Sequence, residues 1–189
     1  MKLEIDNLKE GILKNINNAQ ELIDEAEILF ENEKYARAYL LSHFAIEESS
    51  KCAMLLKIIS FIVWNEKIDI KKVRKRFTNH KEKIKNFKLL EIFNENKIID
   101  LKTEIGKLND FKNQSIYVNW TNENEFIMPN DFFNKEMTKE MIQKSLEYVK
   151  LYTRISIQLI NNEAEIFSTL KESKDLKPIK EIIDHEKRR

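Results

Sequence analysis

Only two glycines and two prolines occur in 189 residues. Folds that depend on frequent turns or glycine-rich loops, all-β and Rossmann-like domains among them, fit that scarcity poorly, whereas long helices with few corners fit it well. Neither a P-loop nor a dinucleotide fingerprint is present. A single cysteine, Cys52, leaves no partner for a disulfide and no second thiol for a zinc site, which predicts a reducing compartment. Its apolar surroundings keep the thiol protonated and argue against a nucleophile. Long hydrophobic runs are also missing. The greasiest stretch, Cys52 to Trp64, is interrupted by Lys57 and falls short of the roughly 20 residues that span a bilayer. The segment from Met1 to Gly11 lacks the core of a secretory signal. The expectation is a cytoplasmic protein without a membrane partner.

What is present is charge, unevenly placed. The formal net charge of +1 hides eleven Asp/Glu against five Lys/Arg in residues 1–48, and nine Lys/Arg against one Glu from Lys71 to Lys88. That second segment reads either as a basic strip for a phosphate backbone or an acidic partner, or as a solvated helix face.

Apolar residues at three-and-four spacing predict an all-α chain of about five long helices. They fall at about 4–32, 34–64, 69–93 (with Asp69 as N-cap), 98–115 (weakened by Gly106) and 138–172 (opening at Thr138). Residues 1–172 form the expected domain and 173–189 a charged tail that includes His185. Helical period is lost over 117–133, where YVNWTNENEFIMPNDFF is rich in aromatics and Asn. That stretch reads as an extended excursion or short hairpin. Trp120 and Phe126 there either grip a partner or fold back over the core.

Charged residues interrupt three of the apolar stripes, and a charge taken out of water is costly unless it is paired. On the second helix, Glu47 and Lys51 sit in the series Leu40, Phe44, Leu55, Ile58, with Glu48 on the adjacent line. Lys51 is within reach of both carboxylates. On the third helix, His80 lies in the series Ile70, Val73, Phe77, Ile84, Phe87 and is expected to face inward, flanked by Arg76 and Lys83. On the fourth, Lys112 follows Leu101, Ile105 and Leu108. These residues form either a buried network that fixes helix register or a functional site in which burial and neighbouring charge tune the titrating groups. Glu47, Glu48, His43 and His80 are conceivable metal ligands, but the paired Glu-x-x-His of di-metal bundles is absent and Lys51 already supplies a counter-charge. No metal and no cofactor are expected.

The ordered set Ala38-x-x-Leu41-x-x-x-Ala45-x-Glu47-Glu48-x-x-Lys51, His80-x-x-Lys83 and Lys112-x-x-x-x-Tyr117-Val118-Asn119 resembles the AbiV-type abortive-infection proteins of the HEPN superfamily, over roughly residues 15–120. The resemblance implies a HEPN-like helical bundle, a homodimer, and an effector that stops growth or translation on phage infection. It also implies a metal-independent ribonuclease whose motif is an Arg followed four to six residues later by a His. Arg74 and His80 have that spacing, but on one continuous helix they lie about 600° apart, a net 240°, and diverge. Arg76 is then better oriented. Lys112 and Tyr117 stand at the place where the motif usually falls. In this reading His80 moves the proton, Arg76 or Lys112 stabilises charge, and Glu47 orients a neighbour, with Glu48, Lys51 and Tyr117 in the same site. RNA phosphates would bind Lys71, Lys72, Arg74, Lys75, Lys81 and Lys83. The alternative is a non-catalytic effector that binds a phage-encoded activator or a host translation component through residues 117–133.

Overall fold

The apolar spacing from Ile5 onward builds α1 (Ile5–Glu31), and its stripe of Leu8, Ile12, Ile16, Ala19, Ile23 and Ala26 is buried as the period predicts. This is a computed structural model that describes residues 4–95, 100–176 and 180–181, with side chains described to Lys88 and again from Asp100. A corner at 32–34 follows, with Glu33 at φ 59° and the Lys34 N–H donating to the Leu29 carbonyl at 2.9 Å. The chain then returns as α2 (Tyr35–Val63). The two helices run antiparallel. The Phe30 and Tyr35 rings meet at 5.5 Å beside the corner, and Cys52 Sγ lies 3.7 Å from the Ile12 carbonyl further along.

The second helix is the axis of the fold, packed against α1 and against helices further along the chain. Ala36, Ala38, Ser42, Ala45, Ser49 and Ser50 are all buried, and side chains this small let neighbouring backbones come close. The hydroxyls of Ser42, Ser49 and Ser50 donate to the carbonyls of Ala38, Ala45 and Ile46, one turn back. A buried hydroxyl is thereby satisfied without a partner on another helix.

The expected third helix is two. α3 (Ile70–Thr78) starts on Asp69, whose carboxylate accepts from the Lys71 and Lys72 amides as the sequence predicts. It stops at Asn79, and α4 (His80–Glu95) begins. Asn79 ends one helix by donating its N–H to the Arg76 carbonyl, and opens the next by accepting the Lys81 and Glu82 amides on Oδ1. Asn followed three residues later by Glu is the signature of such a start. Among the described residues the fourth expected helix is α5 (Leu101–Gln114), capped by Asp100. Its expected start at Ile98 lies outside the described residues.

The excursion is a small hairpin, β1 (Asn119–Trp120) against β2 (Phe126–Ile127), with Asn119 opposite Ile127 and Trp120 opposite Phe126. A single helical turn follows, α6 (Pro129–Phe132). The last long helix opens earlier than expected. α7 (Lys135–Asn161) is capped by Asn134 rather than by Thr138, which is buried inside the first turn and donates to the Asn134 carbonyl. Asn162 leaves helical geometry for one residue before α8 (Glu163–Ser173). The tail beyond Leu176, His185 included, lies outside the described residues apart from 180–181. The result is an all-α bundle, with α7 closing over α1 and α2, α4 on the flank of α2, and α5 against α4.

Gly106 sits inside α5, where a methyl group would meet no atom within 4 Å. Replacing glycine by alanine in an open helical position removes backbone entropy from the unfolded chain. Gly106→Ala is therefore expected to stabilise the protein by about 0.5–1 kcal/mol, read as a higher urea midpoint; a lower midpoint would show that α5 is not a regular helix there.

Candidate functional site

The interruptions of the apolar stripes meet around one carboxylate. Glu47, in the middle of α2, is 1% exposed. Its Oε2 accepts from His80 Nδ1 at 2.6 Å and from Lys83 Nζ at 2.6 Å. His80 and Lys83 are the first and fourth residues of α4, on neighbouring turns, so the carboxylate also faces the positive N-terminal end of that helix. His43, one turn before Glu47 on α2, brings Nε2 to 3.3 Å from the other oxygen. That approach is too poorly aligned for a hydrogen bond, and both ring nitrogens of His43 and Oε1 of Glu47 are buried without hydrogen-bond partners.

The fourth contributor is Lys112 on α5, a buried lysine close enough for its charge to bear on the His43 ring. Among the described residues its ammonium has no ion-pair partner.

The electrostatics follow from this packing. Burial by itself would raise the pKa of Glu47; the Lys83 ammonium on Oε2, with the His43 ring close to the other oxygen, outweighs it and holds the carboxyl at about 2, so it is ionised. Burial pushes the His43 imidazole the other way, below its ordinary value, and the nearby Lys112 and His80 add to that against the pull of Glu47. Cys52 is buried in the core, and its thiol is pushed up to about 12 by desolvation, as its apolar setting predicts.

Several expected placements are corrected. Lys51 does not pair with Glu47; it pairs with Glu48 at 2.5 Å and lies 5.1 Å over the Phe77 ring. His80 does not face fully inward, because the break at Asn79 turns it to the mouth of the cluster, where its side chain is 51% exposed. The same break removes the continuous helix on which the 240° divergence of Arg74 and His80 was argued. Arg74 is exposed, and Arg76 faces Glu82 at 3.8 Å. Lys83 is buried against Glu47 and is not part of the basic face, whereas Lys71, Lys72, Lys75 and Lys81 are exposed. Tyr117 is exposed beyond the end of α5 and makes no hydrogen bond or ion pair with Glu47, His80 or Lys83.

Trp120 and Phe126 do not fold back over the core. They stack on one another at 5.6 Å and 13°, and are 67% and 70% exposed. Phe133 alone of the neighbouring aromatics is fully inserted, against Tyr39 at 4.6 Å. The residue that sequence reasoning undervalued is His43, and its signal was the four-residue spacing to Glu47 on a helix buried on that side. Among the described residues no group of three or more His, Cys, Asp or Glu could hold a metal ion, and no helix is long and apolar enough to cross a membrane.

The all-α bundle, with a buried acid, two histidines and two lysines where three of its helices meet, is of the HEPN-like kind. The model of the AbiV family matches residues 7–150, and the chain belongs to that family. Membership assigns it an abortive-infection function of the HEPN type. Comparisons with curated proteins and with solved structures find no match.

Two outcomes follow from the cluster. Removing one member of a buried ion pair strands the other, so Lys83→Met is expected to cost about 3–5 kcal/mol, while Glu47→Leu combined with Lys83→Met recovers much of it. Urea unfolding of the three proteins measures the coupling, and additive losses would mean the pair is not linked. Stability should also fall with acid. His43 and Glu47 are both held below their ordinary values of 6.5 and 4.5 in the folded chain, so the unfolded chain takes up their protons first. Unfolding free energy is then expected to drop below pH 6.5 and again from pH 4.5 towards 2; a urea midpoint unchanged between neutral pH and pH 5 would contradict a buried neutral His43.

Proposed function

We propose that this chain is a cytoplasmic antiphage effector that arrests growth or translation by cleaving RNA without a metal, as a homodimer. The observation that carries the reading is the hydrogen bond from His80 to Glu47. A buried carboxylate fixes one ring nitrogen as a donor, while the ring itself is half exposed at the mouth of the cluster. With the proton held on Nδ1, the lone pair belongs to Nε2, which is how an acid–histidine pair makes a base.

In this reading Nε2 takes the proton of a ribose 2′-hydroxyl as that oxygen attacks the adjacent phosphorus. The 5′-oxygen leaves with a proton returned from the imidazolium, and the product ends in a 2′,3′-cyclic phosphate. Lys112 supplies fixed positive charge for the phosphorane, the kind of sheltered cation that stabilises developing negative charge. Arg76 serves this step only on leaving Glu82. Lys71, Lys72, Arg74, Lys75 and Lys81 hold the flanking phosphates by charge, a contact that weakens with salt.

A second reading rests on the exposed Trp120–Phe126 stack. Aromatic surface of that kind is uncommon on a chain with no partner, and it suits a non-catalytic effector that binds a phage-encoded activator or a host translation component.

The test is cleavage of labelled total RNA and tRNA by wild type and His80→Ala in EDTA, with folding checked by circular dichroism and mass by light scattering. His80→Ala should remain folded, since Glu47 keeps Lys83 and His43, and should lose activity by about a hundredfold or more. A folded wild type that cleaves nothing, in cells whose arrest is abolished by Trp120→Ala, would replace the nuclease with the binding effector.

A further inference from the structure

The hairpin and the outer face of α3 are opposite in charge. Residues 117–133 hold Glu123, Glu125 and Asp131 and neither Lys nor Arg. Asp131 is taken up by the Met128 amide, whereas Glu123 and Glu125 are exposed and in no ion pair among the described residues. Beside them stands the Trp120–Phe126 stack, with Tyr117, Val118 and Met128 also exposed. On α3, Lys71, Arg74 and Lys75 are spaced by three and four residues, which puts them on one face. All three are exposed, and among the described residues none has an ion-pair partner.

The two surfaces do not meet within one chain. The hairpin is held at both ends to the start of α2, where Arg37 donates to the Ser115 carbonyl at 3.4 Å and Ala36 donates its N–H to Asn130 Oδ1 at 3.2 Å. α3 lies along the later half of α2: the Phe77 ring is under Lys51, and Val73 lines a groove with Ile58 and Phe61. Between residue 36 and residues 51–58 the axis of α2 advances roughly 20–30 Å. No hydrogen bond, ion pair or ring contact joins the hairpin to α3 among the described residues.

Chemistry narrows what can cover them. Two free carboxylates repel a phosphate backbone, so the stack suits RNA bases poorly. Guanidinium and ammonium groups suit it well, since they sit over aromatic faces and pair with carboxylates beside them. One face of α3 offers three such groups. Every copy carries both surfaces, so two copies related by a two-fold axis satisfy both contacts at once.

We propose that the hairpin of one copy docks on the Lys71, Arg74 and Lys75 face of a second copy and thereby keeps RNA phosphates off that face. The docked pair is a silent form, and cleavage requires the hairpin to lift. Docking stands apart from the RNA reading above; only the blocking of RNA rests on it.

The experiment is disulfide trapping with two variants of the full chain, Asn122→Cys at the hairpin tip and Thr78→Cys at the end of the α3 face, both exposed positions. Native Cys52 is buried and keeps the background low. After mixing and mild oxidation, mass spectrometry is expected to find the peptide linked between positions 122 and 78 as the main cross-link. Glu123→Lys with Glu125→Lys in the first variant should lower its yield at least about tenfold, as should Lys71→Glu with Lys75→Glu in the second, and the two reversals together should restore it. The trapped pair should bind a labelled single-stranded RNA at least about tenfold more weakly than the same sample after reduction. A 122–78 yield no higher than that of the 122–122 and 78–78 links, or one indifferent to charge reversal, overturns the docking. RNA bound equally by the trapped and reduced forms overturns the blocking. RNA bound by neither form refutes the RNA reading and the blocking with it, while the cross-link still decides the docking.

Discussion

A carboxylate placed in the middle of a buried helix dictates much of what surrounds it. An ion taken from water into a protein interior costs several kcal/mol unless cations and donors replace the lost hydration. Glu47 sits on the helix that packs against most of the others, so its partners have to come from a neighbouring element. They come from the start of α4, where His80 and Lys83 reach the same oxygen. The chain must therefore begin a helix at that place, and Asn79 is the device that makes it begin there. The position of α3 outside the core, with no buried residue of its own, is a consequence of the same break.

The bundle and the existence of a polar cluster were legible because periodicity reports burial directly. Glu47, His80 and Lys112 each interrupted an apolar stripe, and the structure buries Glu47 and Lys112 and brings His80 to Glu47. What was not legible is who pairs with whom. Lys51 lies at a spacing that lets it reach Glu47, but side-chain pairing on a helix is worth only a few tenths of a kcal/mol. The contacts that α3 and α4 make with α2 decide the outcome: Lys51 lies over Phe77 beside Glu48, and Lys83 takes Glu47. The break at Asn79 carried a signal of its own, Asn79 with Glu82 three residues on, hidden because the apolar series from Ile70 to Phe87 keeps its period across the junction. The hairpin over 117–133 was readable as a departure from helix; the outward stacking of Trp120 on Phe126 was not, since exposed and core-capping aromatics share one pattern.

Charge separation along the chain has a spatial counterpart. Lysines 71, 72, 75 and 81 and Arg74 are exposed along α3 and at the start of α4, the stretch of chain that also carries the half-exposed His80. Lys83, from the same run of sequence, turns inward. One segment thus supplies both the counter-ion of the buried acid and the surface field outside it, and a helix break between them lets the two groups face different ways.

The arrangement around Glu47 also gives the members of the cluster different access to protons and to solvent. A carboxyl held near 2 stays ionised at neutral pH and is a poor proton acceptor. One of its oxygens already takes two donors, and the other faces the buried His43 ring. It has neither the proton affinity nor the access to act on a substrate. His43 is enclosed, and Lys83 is spent on the carboxylate. Of the groups gathered here, the His80 imidazole is the one that combines a fixed orientation with contact to solvent, and Glu47 is what fixes it.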